Sequence, residues 1–324
     1  MQEFVFEVDA AGAGMRIDLF LAEKRKEQSR SYLQKLLKEG AVKLWPGTAA
    51  CGPKQGESPE GGEAARTVRS NYKLRAGDRV GLVLPEPAEL ELAPHPMKLE
   101  ILYEDSDVIL VNKPKGMVVH PAAGHSDDTL VNGLLYHCQG NLSGINGVLR
   151  PGIVHRIDKD TTGVLIACKN DNAHHCLAKQ LKEHSVTRRY QAIVHGVIRE
   201  EEGCIDAPIG RNEKDRLKMA INERCGKHAV THYRVRERFK EYTFIECRLE
   251  TGRTHQIRVH MASIGHPLLG DTLYGPAKPP QKLKGQTLHA AVLGFVHPTT
   301  GAYMEFEAPL PAYFEELLEK LRRH

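Results

Sequence analysis

The sequence predicts an α+β protein with two domains, on three observations. From about residue 97 onward, short apolar runs alternate with stretches of helical period, as in a domain that mixes strands and helices. Residues 15–44 show a helical period of their own. A proline-punctuated stretch at 84–96 reads as a linker between the two regions. We therefore expect three segments: a small α+β domain at 1–88, a linker at 89–98 and a larger domain at 99–324.

Composition places the chain among globular proteins of a reducing compartment. Its 324 residues are 41% hydrophobic, which is enough for a normal core. Seven cysteines, an odd number without Cys-x-x-Cys spacing, favour free thiols over a disulfide framework. The first residues lack the basic and apolar regions of a secretory signal, and no apolar run approaches the roughly 18 residues of a membrane helix. We expect a cytoplasmic monomer that does not associate with membranes.

Two helices are predicted in the small domain, with an inserted loop after them. Apolar residues recur at helical spacing in two turns, with Ser29 as the expected N-cap of the second helix and Gly40 at its C-cap. The stretch at 46–69 is rich in Gly, Pro and Glu and predicts an extended loop. The apolar positions are Ile17, Phe20, Leu21, Leu33, Leu36 and Leu37.

Charge is distributed unevenly along the chain. The formal net charge is only +4, but residues 16–43 hold eight Lys or Arg against four Asp or Glu. Residues 211–240 hold ten against four. Such surpluses are often solvated surface, and they also suit a polyanionic partner.

The larger domain begins with strands and continues with an alternation of both element types. Strand-like runs, rich in apolar and β-branched residues, are followed by amphipathic stretches, one of which has Asp171 as its expected N-cap. The predicted strands are 108–112, 164–168, 187–195 and 242–249, and the predicted helices are 171–184 and 314–321.

The most informative segment is the loop at 155–163, which contains Asp158. Arg156, Lys159 and His155 surround this carboxylate, and apolar residues lie on both sides of the loop. Nearby positive charge favours the ionised form of Asp158, which can then serve as a nucleophile or a base. Taken by spacing alone, an Asp in this setting is more often a turn residue.

This loop, His-Arg-Ile-Asp-Lys-Asp-Thr-Thr-Gly, resembles the signature of the RluA/RluD family of RNA pseudouridine synthases, with Ile157 and Thr162 in place of Leu and Ser. Further motifs resemble the family in the same order along the chain, which outweighs the turn interpretation. They lie at 113–121, 129–134, 188–190, 252–260, 265–275, 288–290 and 295–298.

The small domain resembles the alpha-L RNA-binding motif, an S-four-type domain. The similarity runs through 16–21, 29–42 and 77–80, with a departure at 44–47, where the family usually continues Val-Asn-Gly. Four basic residues of this segment are the expected RNA-binding residues: Arg16, Arg30, Lys35 and Lys38.

The RluA/RluD resemblance implies a catalytic domain with a mixed, mainly antiparallel sheet. The expected reaction isomerises uridine to pseudouridine in structured RNA, with large-subunit ribosomal RNA as the expected substrate. By resemblance, Asp158 is the catalytic carboxylate, and Tyr190 lies against the flipped uracil. Arg253 is expected to pair with Asp158, and Arg156 to help displace the base or to occupy its vacated place in the RNA. Because the reaction oxidises, hydrolyses and donates nothing, we expect no cofactor.

Local patterns leave several alternatives open. Thr254 could cap a helix that buries Ile257, Met261 and Ile264 and ends at Gly265. Tyr190, taken singly, is more often a core residue than a substrate platform. The histidines and cysteine at 174–176, with a further histidine at 184, lack the spacing of a zinc site, so we expect no metal.

Two other functions compete with the isomerase. A ribosome-assembly or RNA-binding protein could retain the fold without catalysis, although it would not need Asp158, Tyr190 and Arg253 together. An RNA methyltransferase would need a methyl-donor site, and no glycine-rich strand-to-helix loop of that type is evident.

Overall fold

The computed structural model describes most of the chain as two compact units, Met1–Glu89 and Leu90–His324. Ser29, most of the 46–69 stretch and the side chain of Lys35 lie outside the described residues. So does most of the proline-rich stretch. The described residues are 2–25, 30–47, 65–84, 92–121, 125, 127–145, 150–213, 215, 218–276 and 283–323.

The first unit packs two helices on a three-stranded antiparallel sheet, as far as the structure describes it, with the strand order β1-β3-β2. The predicted apolar positions of both helices are buried in its core. Gly40 has φ +77°, a left-handed conformation that ends the second helix, as predicted. The elements are β1 (Gln2–Glu7), α1 (Ile17–Lys24), α2 (Arg30–Lys38), β2 (Val42–Trp45) and β3 (Arg79–Leu84).

The second unit is an α+β domain. The predicted strands at 187–195 and 242–249 are present with those bounds, and the other predicted elements shift by a few residues at most. Its strands are β4 (Ile101–Glu104), β5 (Val108–Lys113), β6 (Thr162–Cys168), β7 (Thr187–His195), β8 (Glu202–Asp206), β9 (Ile209–Arg211), β10 (Met219–Ile221), β11 (Val230–Arg238), β12 (Tyr242–Leu249), β13 (Leu288–Val296) and β14 (Tyr303–Glu307). Its helices are α3 (Leu130–His137), α4 (Asp171–Lys182), α5 (Gln256–Ser263) and α6 (Ala312–Arg322).

A mixed, mainly antiparallel sheet forms the centre of this unit, in agreement with the expected fold. Nine strands of the described chain take part, in the order β4-β5-β6-β13-β7-β12-β11-β8, and β14 also pairs with β13. The short β6–β13 pairing is parallel, and the other pairs are antiparallel. All seven residues of β6 are buried, so its apolar sequence is explained by neighbours on both faces.

The β6–β13 pairing requires glycine at one position. Gly163 has φ +110°, and a Cβ there would lie 2.2 Å from the carbonyl oxygen of Ala290 on β13. Only glycine fits this close approach of two backbones. The loop that contains Asp158 therefore ends against the middle of the sheet.

Helix α4 has a different cap from the predicted one. Asn170, rather than Asp171, is the N-cap, and its side chain accepts a hydrogen bond from the backbone N–H of Ala173 at 2.9 Å.

Within the described residues, no helix is both long and apolar enough to cross a bilayer.

Candidate active site

The Asp158 loop is anchored to the sheet on both sides. His155 Nε2 accepts a hydrogen bond from the backbone N–H of Ile166 on β6 at 3.1 Å. Burial, together with the charge of Arg188, lowers the pKa of His155 to about 4, so the ring is neutral and able to accept. The loop then turns, with the Thr161 N–H bonded to the Asp158 carbonyl at 3.0 Å.

A buried lysine, Lys113, binds the backbone of the Asp158 loop. The Lys113 ammonium, at the end of β5, donates to the carbonyl oxygens of Pro114, Met117 and Lys159 at 3.0, 2.9 and 3.0 Å. Burial lowers the pKa of Lys113 to about 7, against the opposing charges of Asp160 and Asp158. Its bond to Lys159 fixes the backbone immediately after Asp158.

One arginine bridges Asp158 to a second carboxylate. Arg258 Nη1 lies 2.9 Å from Asp158 Oδ2, and Arg258 Nε and Nη2 lie 2.7 and 3.0 Å from the two oxygens of Asp271. Burial alone would lower the pKa of Arg258, but the hydrogen bonds and charges of Asp271 and Asp158 raise it. The guanidinium is thereby held in one orientation, and it fixes the carboxylate of Asp158.

The prediction that Arg253 pairs with Asp158 is wrong. Arg253 Nε instead donates to the carbonyl oxygen of His228 at 3.0 Å, and the arginine that contacts Asp158 among the described residues is Arg258. Arg253 does line the same cleft. The physical reason is the start of α5: Arg253 precedes the helix, whereas Arg258 lies inside it and is buried between Asp158 and Asp271.

The start of α5 also differs from the predicted cap. His255, with φ 57°, is the N-cap residue, and neither it nor Thr254 makes a side-chain cap bond. The Gln256 side chain accepts from the backbone N–H of Arg253 at 2.9 Å and from the Thr251 hydroxyl at 2.8 Å. Ile264, expected to be buried, is 38% exposed because the helix ends at Ser263.

The left-handed backbone turns the His255 ring toward Asp158. His255 Nε2 lies 3.9 Å from Asp158 Oδ1, and His255 Nδ1 lies 2.8 Å from the Tyr274 hydroxyl. That hydroxyl already accepts from the Met219 N–H at 2.8 Å, so its proton is free to point at Nδ1. This arrangement leaves the ring proton on Nε2, facing the carboxylate. Burial lowers the pKa of His255, which favours the neutral ring.

Strand β7 supplies one wall of the site. Its buried positions alternate, so Arg188 and Tyr190 share a face, and both line the cleft with Asp158. Tyr190 is 9% exposed, and burial raises the pKa of its phenol. The ring is therefore a neutral surface at the back of the cleft.

Arg156 is exposed and lies on another side of the cleft. Its Nη1 is 3.2 Å from His120 Nε2. Burial and the charges of Arg156 and Arg150 lower the pKa of His120 to about 4. The neutral imidazole can therefore accept a hydrogen bond from the guanidinium of Arg156.

These groups enclose an open cleft of about 530 Å³. Its described lining contains a single carboxylate, Asp158, and six basic side chains: Arg150, Arg156, Lys182, Arg188, Arg253 and Arg258. Such a lining favours a polyanion, with one negative group at the reactive position.

The structure thus brings Asp158, Arg156, Tyr190 and Arg253 into one cleft, as the sequence analysis expected of a common site. It adds Arg258 and Asp271, to which no role had been assigned. Both lie within motifs already noted at 252–260 and 265–275, but nothing in their spacing indicated which arginine would face the carboxylate.

Two of the predicted RNA-binding residues of the first unit, Arg16 and Arg30, share a buried carboxylate. Asp18 accepts from Arg16, Arg30 and Gln34, with Nε–Oδ distances of 3.0 Å for each arginine. Burial acts to raise the pKa of Asp18, but these three donors lower it to about 2. The side chains of Arg16 and Arg30 remain 40% and 48% exposed. Lys38 is exposed at the end of α2.

One group of possible metal ligands occurs among the described residues: Asp105, Asp107 and His297. His297 Nδ1 accepts from the backbone N–H groups of Thr299 and Thr300. The proton is therefore on Nε2, which donates to Asp105 at 2.8 Å. This geometry is that of a hydrogen-bonded crosslink between two turns.

Comparison with known proteins places this geometry in a family. The sequence pattern of the RNA pseudouridylate synthase family matches residues 107–263. The chain is 54% identical, over 95% of both sequences, to an uncharacterised RNA pseudouridine synthase of Bacillus subtilis, YlyB. It is 47% identical to the ribosomal large subunit pseudouridine synthase D of Zymomonas mobilis, over 95% of this chain and 94% of that protein.

A solved structure of a related human protein is similar to this chain. The human RNA pseudouridylate synthase domain containing 1 superposes with a TM-score of 0.55 at 27% identity. The match covers 74% of this chain and 98% of the human one.

Proposed function

The chain belongs to the RluA/RluD family of RNA pseudouridine synthases, and we propose that it isomerises uridines of large-subunit ribosomal RNA with Asp158 as the catalytic carboxylate. It is an enzyme that converts uridine to pseudouridine in RNA. The ribosomal assignment is supported by the name of the Zymomonas relative, which matches across both units of the chain.

The observation that carries the proposal is the Arg258 bridge. Arg258 fixes Asp158 at 2.9 Å, while Asp271 holds the far side of the guanidinium. Fixing a carboxylate in this way lets it act on a substrate without reorganising first. A protein that only binds RNA has no need for such a group in a cationic cleft.

The reaction is balanced without a cofactor. The bond from N1 of uracil to C1′ of ribose breaks, with its electron pair left on the base. Asp158 forms an ester at C1′ or stabilises the positive charge there. The uracil rotates, and its C5 bonds to C1′; where an ester has formed, its bond to C1′ breaks in the same step and the Asp158 carboxylate is regenerated. C5 then loses its proton, and N1 gains one.

Access to the cleft requires the uridine to leave its stack. Extruding a base costs about a few kcal/mol, which binding must offset. In the proposal, Tyr190 stacks on the extruded uracil, an interaction worth about 1 to 3 kcal/mol. Arg156, exposed at the other side, takes the place that the base leaves in the RNA.

In this proposal, the first unit is a separate RNA-binding domain. Arg16 and Arg30 are fixed by Asp18 while much of each side chain stays exposed. Lys35 and Lys38 lie on α2, as Arg30 does, and are included among the proposed RNA-binding residues. Exposed, fixed guanidinium groups suit RNA phosphates.

Asp158→Asn tests the catalytic assignment, because the amide keeps the shape but cannot act as an anion. We expect single-turnover pseudouridine formation on transcribed large-subunit ribosomal RNA to fall at least about 1000-fold, with unchanged RNA affinity. Asp206→Asn, at an exposed carboxylate paired with His228, is the control and should retain activity. Turnover of Asp158→Asn within tenfold of wild type would contradict the assignment.

The substrate assignment needs a separate measurement. Pseudouridines in ribosomal RNA are mapped in cells that carry the gene, lack it, or carry only the Asp158→Asn form. We expect specific large-subunit positions to lose the modification in the last two. An unchanged map, with activity on another RNA in the purified enzyme, would move the substrate elsewhere.

A further inference from the structure

Arg188 is a buried cation without a carboxylate partner among the described residues. It lies on β7 and is 7% exposed, and the small remainder of its surface lines the cleft. Its charge is close to that of Arg253, which makes the setting more positive, and burial lowers the pKa of Arg188. An unpaired buried charge is costly, so its retention requires an explanation.

The three nitrogens of the guanidinium are used unequally. Nη2 donates to the carbonyl oxygen of Glu250 at 2.8 Å. Nε is buried and has no hydrogen-bond partner among the described residues. Nη1 lies over Gly252 at the cleft, 2.7 Å from where a Cβ would be, and makes no hydrogen bond to the described chain. One nitrogen is therefore left for a ligand.

The position of Arg188 indicates which part of a nucleotide it would meet. It is two residues from Tyr190 on the same face of β7, and both line the cleft with Asp158. A ring stacked on Tyr190 brings its edge to this face of the strand. Arg156 is more exposed, as its proposed place outside the uracil pocket requires.

We propose that Arg188 binds a carbonyl oxygen of the extruded uracil and stabilises the negative charge that this oxygen gains during the reaction. This inference rests on the proposed function. When the N1–C1′ bond breaks, the electron pair left on N1 is shared with O2 and O4 of the ring. The bond from C5 to C1′ uses up this negative charge, and the loss of a proton from C5 with the gain of one at N1 then leaves the base neutral. Arg188 keeps its own protons throughout.

The test uses the full-length enzyme with substitutions at two adjacent positions. Arg188→Met removes the charge, and Arg188→Lys keeps it with a different geometry. Arg189→Gln is the matched control, since Arg189 lies on the other face of the same strand and pairs with Glu305 at 2.6 Å. Single-turnover rates at saturating protein, RNA affinity at several salt concentrations and thermal midpoints are measured on transcribed large-subunit ribosomal RNA.

We expect Arg188→Met to lower the single-turnover rate about 100-fold, the size seen when one donor to a developing charge is removed. Arg188→Lys should fall between this variant and wild type. RNA affinity should change less than about threefold, and the thermal midpoint should not fall, because an unpaired buried charge has been removed. Arg189→Gln should behave like wild type in all three measurements.

Three results would overturn the inference. A rate for Arg188→Met within threefold of wild type would show that no developing charge is stabilised. An unchanged saturated rate with weaker binding and a salt slope shallower by about 0.7 to 0.9 would assign Arg188 to a phosphate. If Arg188→Met lowers the thermal midpoint, and Arg188→Lys restores both the midpoint and the rate, then Arg188 stabilises the fold instead of the reaction. If Asp158→Asn is inactive in the same assay, the proposed function survives each of these results.

Discussion

The two units use the same electrostatic device with opposite signs. In the second unit, a buried cation, Arg258, holds two carboxylates and presents one of them, Asp158, in the cleft. In the first unit, a buried anion, Asp18, holds two guanidiniums and presents both, 40% and 48% exposed. Each cluster therefore contains a fully or largely buried ion that orients outward charges.

Under the proposed function, the difference in sign corresponds to a difference in task. A single oriented carboxylate is suited to bond chemistry at one atom, whereas two exposed guanidiniums are suited to phosphates of any sequence. The central ion in both cases keeps the outward groups in place. Removing a central ion should therefore damage stability and function together, and removing an outward group should damage function more than stability.

Arg258→Met should have the largest effect, because it leaves two neighbouring carboxylates without their shared cation. We expect a loss of about 3 to 5 kcal/mol in the free energy of unfolding and a fall in single-turnover rate of about 100- to 1000-fold. Urea unfolding and single-turnover assays measure the two effects. Asp271→Asn, which leaves the Arg258–Asp158 ion pair intact, should keep more activity than Arg258→Met. The opposite order would mean that Asp271, not Asp158, is the functional partner.

Asp18→Asn should destabilise the first unit by a smaller amount that depends on pH. The pKa of Asp18 is lowered from 3.8 to about 2, so its stabilising effect is present above pH 4 and is lost as the pH falls toward 2. We expect the variant to be about 1 to 2 kcal/mol less stable at pH 7, with solvent screening taken into account, and the difference to vanish near pH 2. Trp45, the one tryptophan of the chain, lies on β2 and reports the unfolding of this unit by fluorescence. A difference that stays constant over this range would show that Asp18 is not stabilised by its donors.

Replacing Arg16 and Arg30 by Gln should have the smallest effect. We expect RNA binding to weaken several-fold and the log-log salt slope to become shallower by about 0.7 to 0.9 for each phosphate that the protein no longer neutralises. The saturated single-turnover rate should be unchanged. Arg322→Gln, at an exposed arginine paired with Glu237, is the control for the removal of a surface charge. An unchanged salt slope in the double variant would separate this cluster from RNA binding.

The sequence predicted helices and strands well where the spacing of apolar residues and the residue types within a few positions determine them. Strand β7 has the predicted bounds, and its alternation places Tyr190 on a buried face. The cap of α4 was misplaced by one residue because Asn170 and Asp171 are both good capping residues. Thr254 was misjudged as a cap because the chain enters α5 through a left-handed His255, a conformation with no signature in neighbouring residue types.

From the sequence by itself, one could identify the family, the loop around Asp158 and the aromatic residue on β7. These depend on residue identity and short-range period, which a linear chain carries in full. Only the tertiary structure decided which arginine meets Asp158, because Arg253 and Arg258 are equally cationic and lie within one motif. The choice depends on where α5 begins and on Asp271. This carboxylate contacts the side of the Arg258 guanidinium that is turned away from Asp158. The tertiary structure also decided that Arg188 is buried without a carboxylate among the described residues, since the partners of a charge are set by the packing of distant segments.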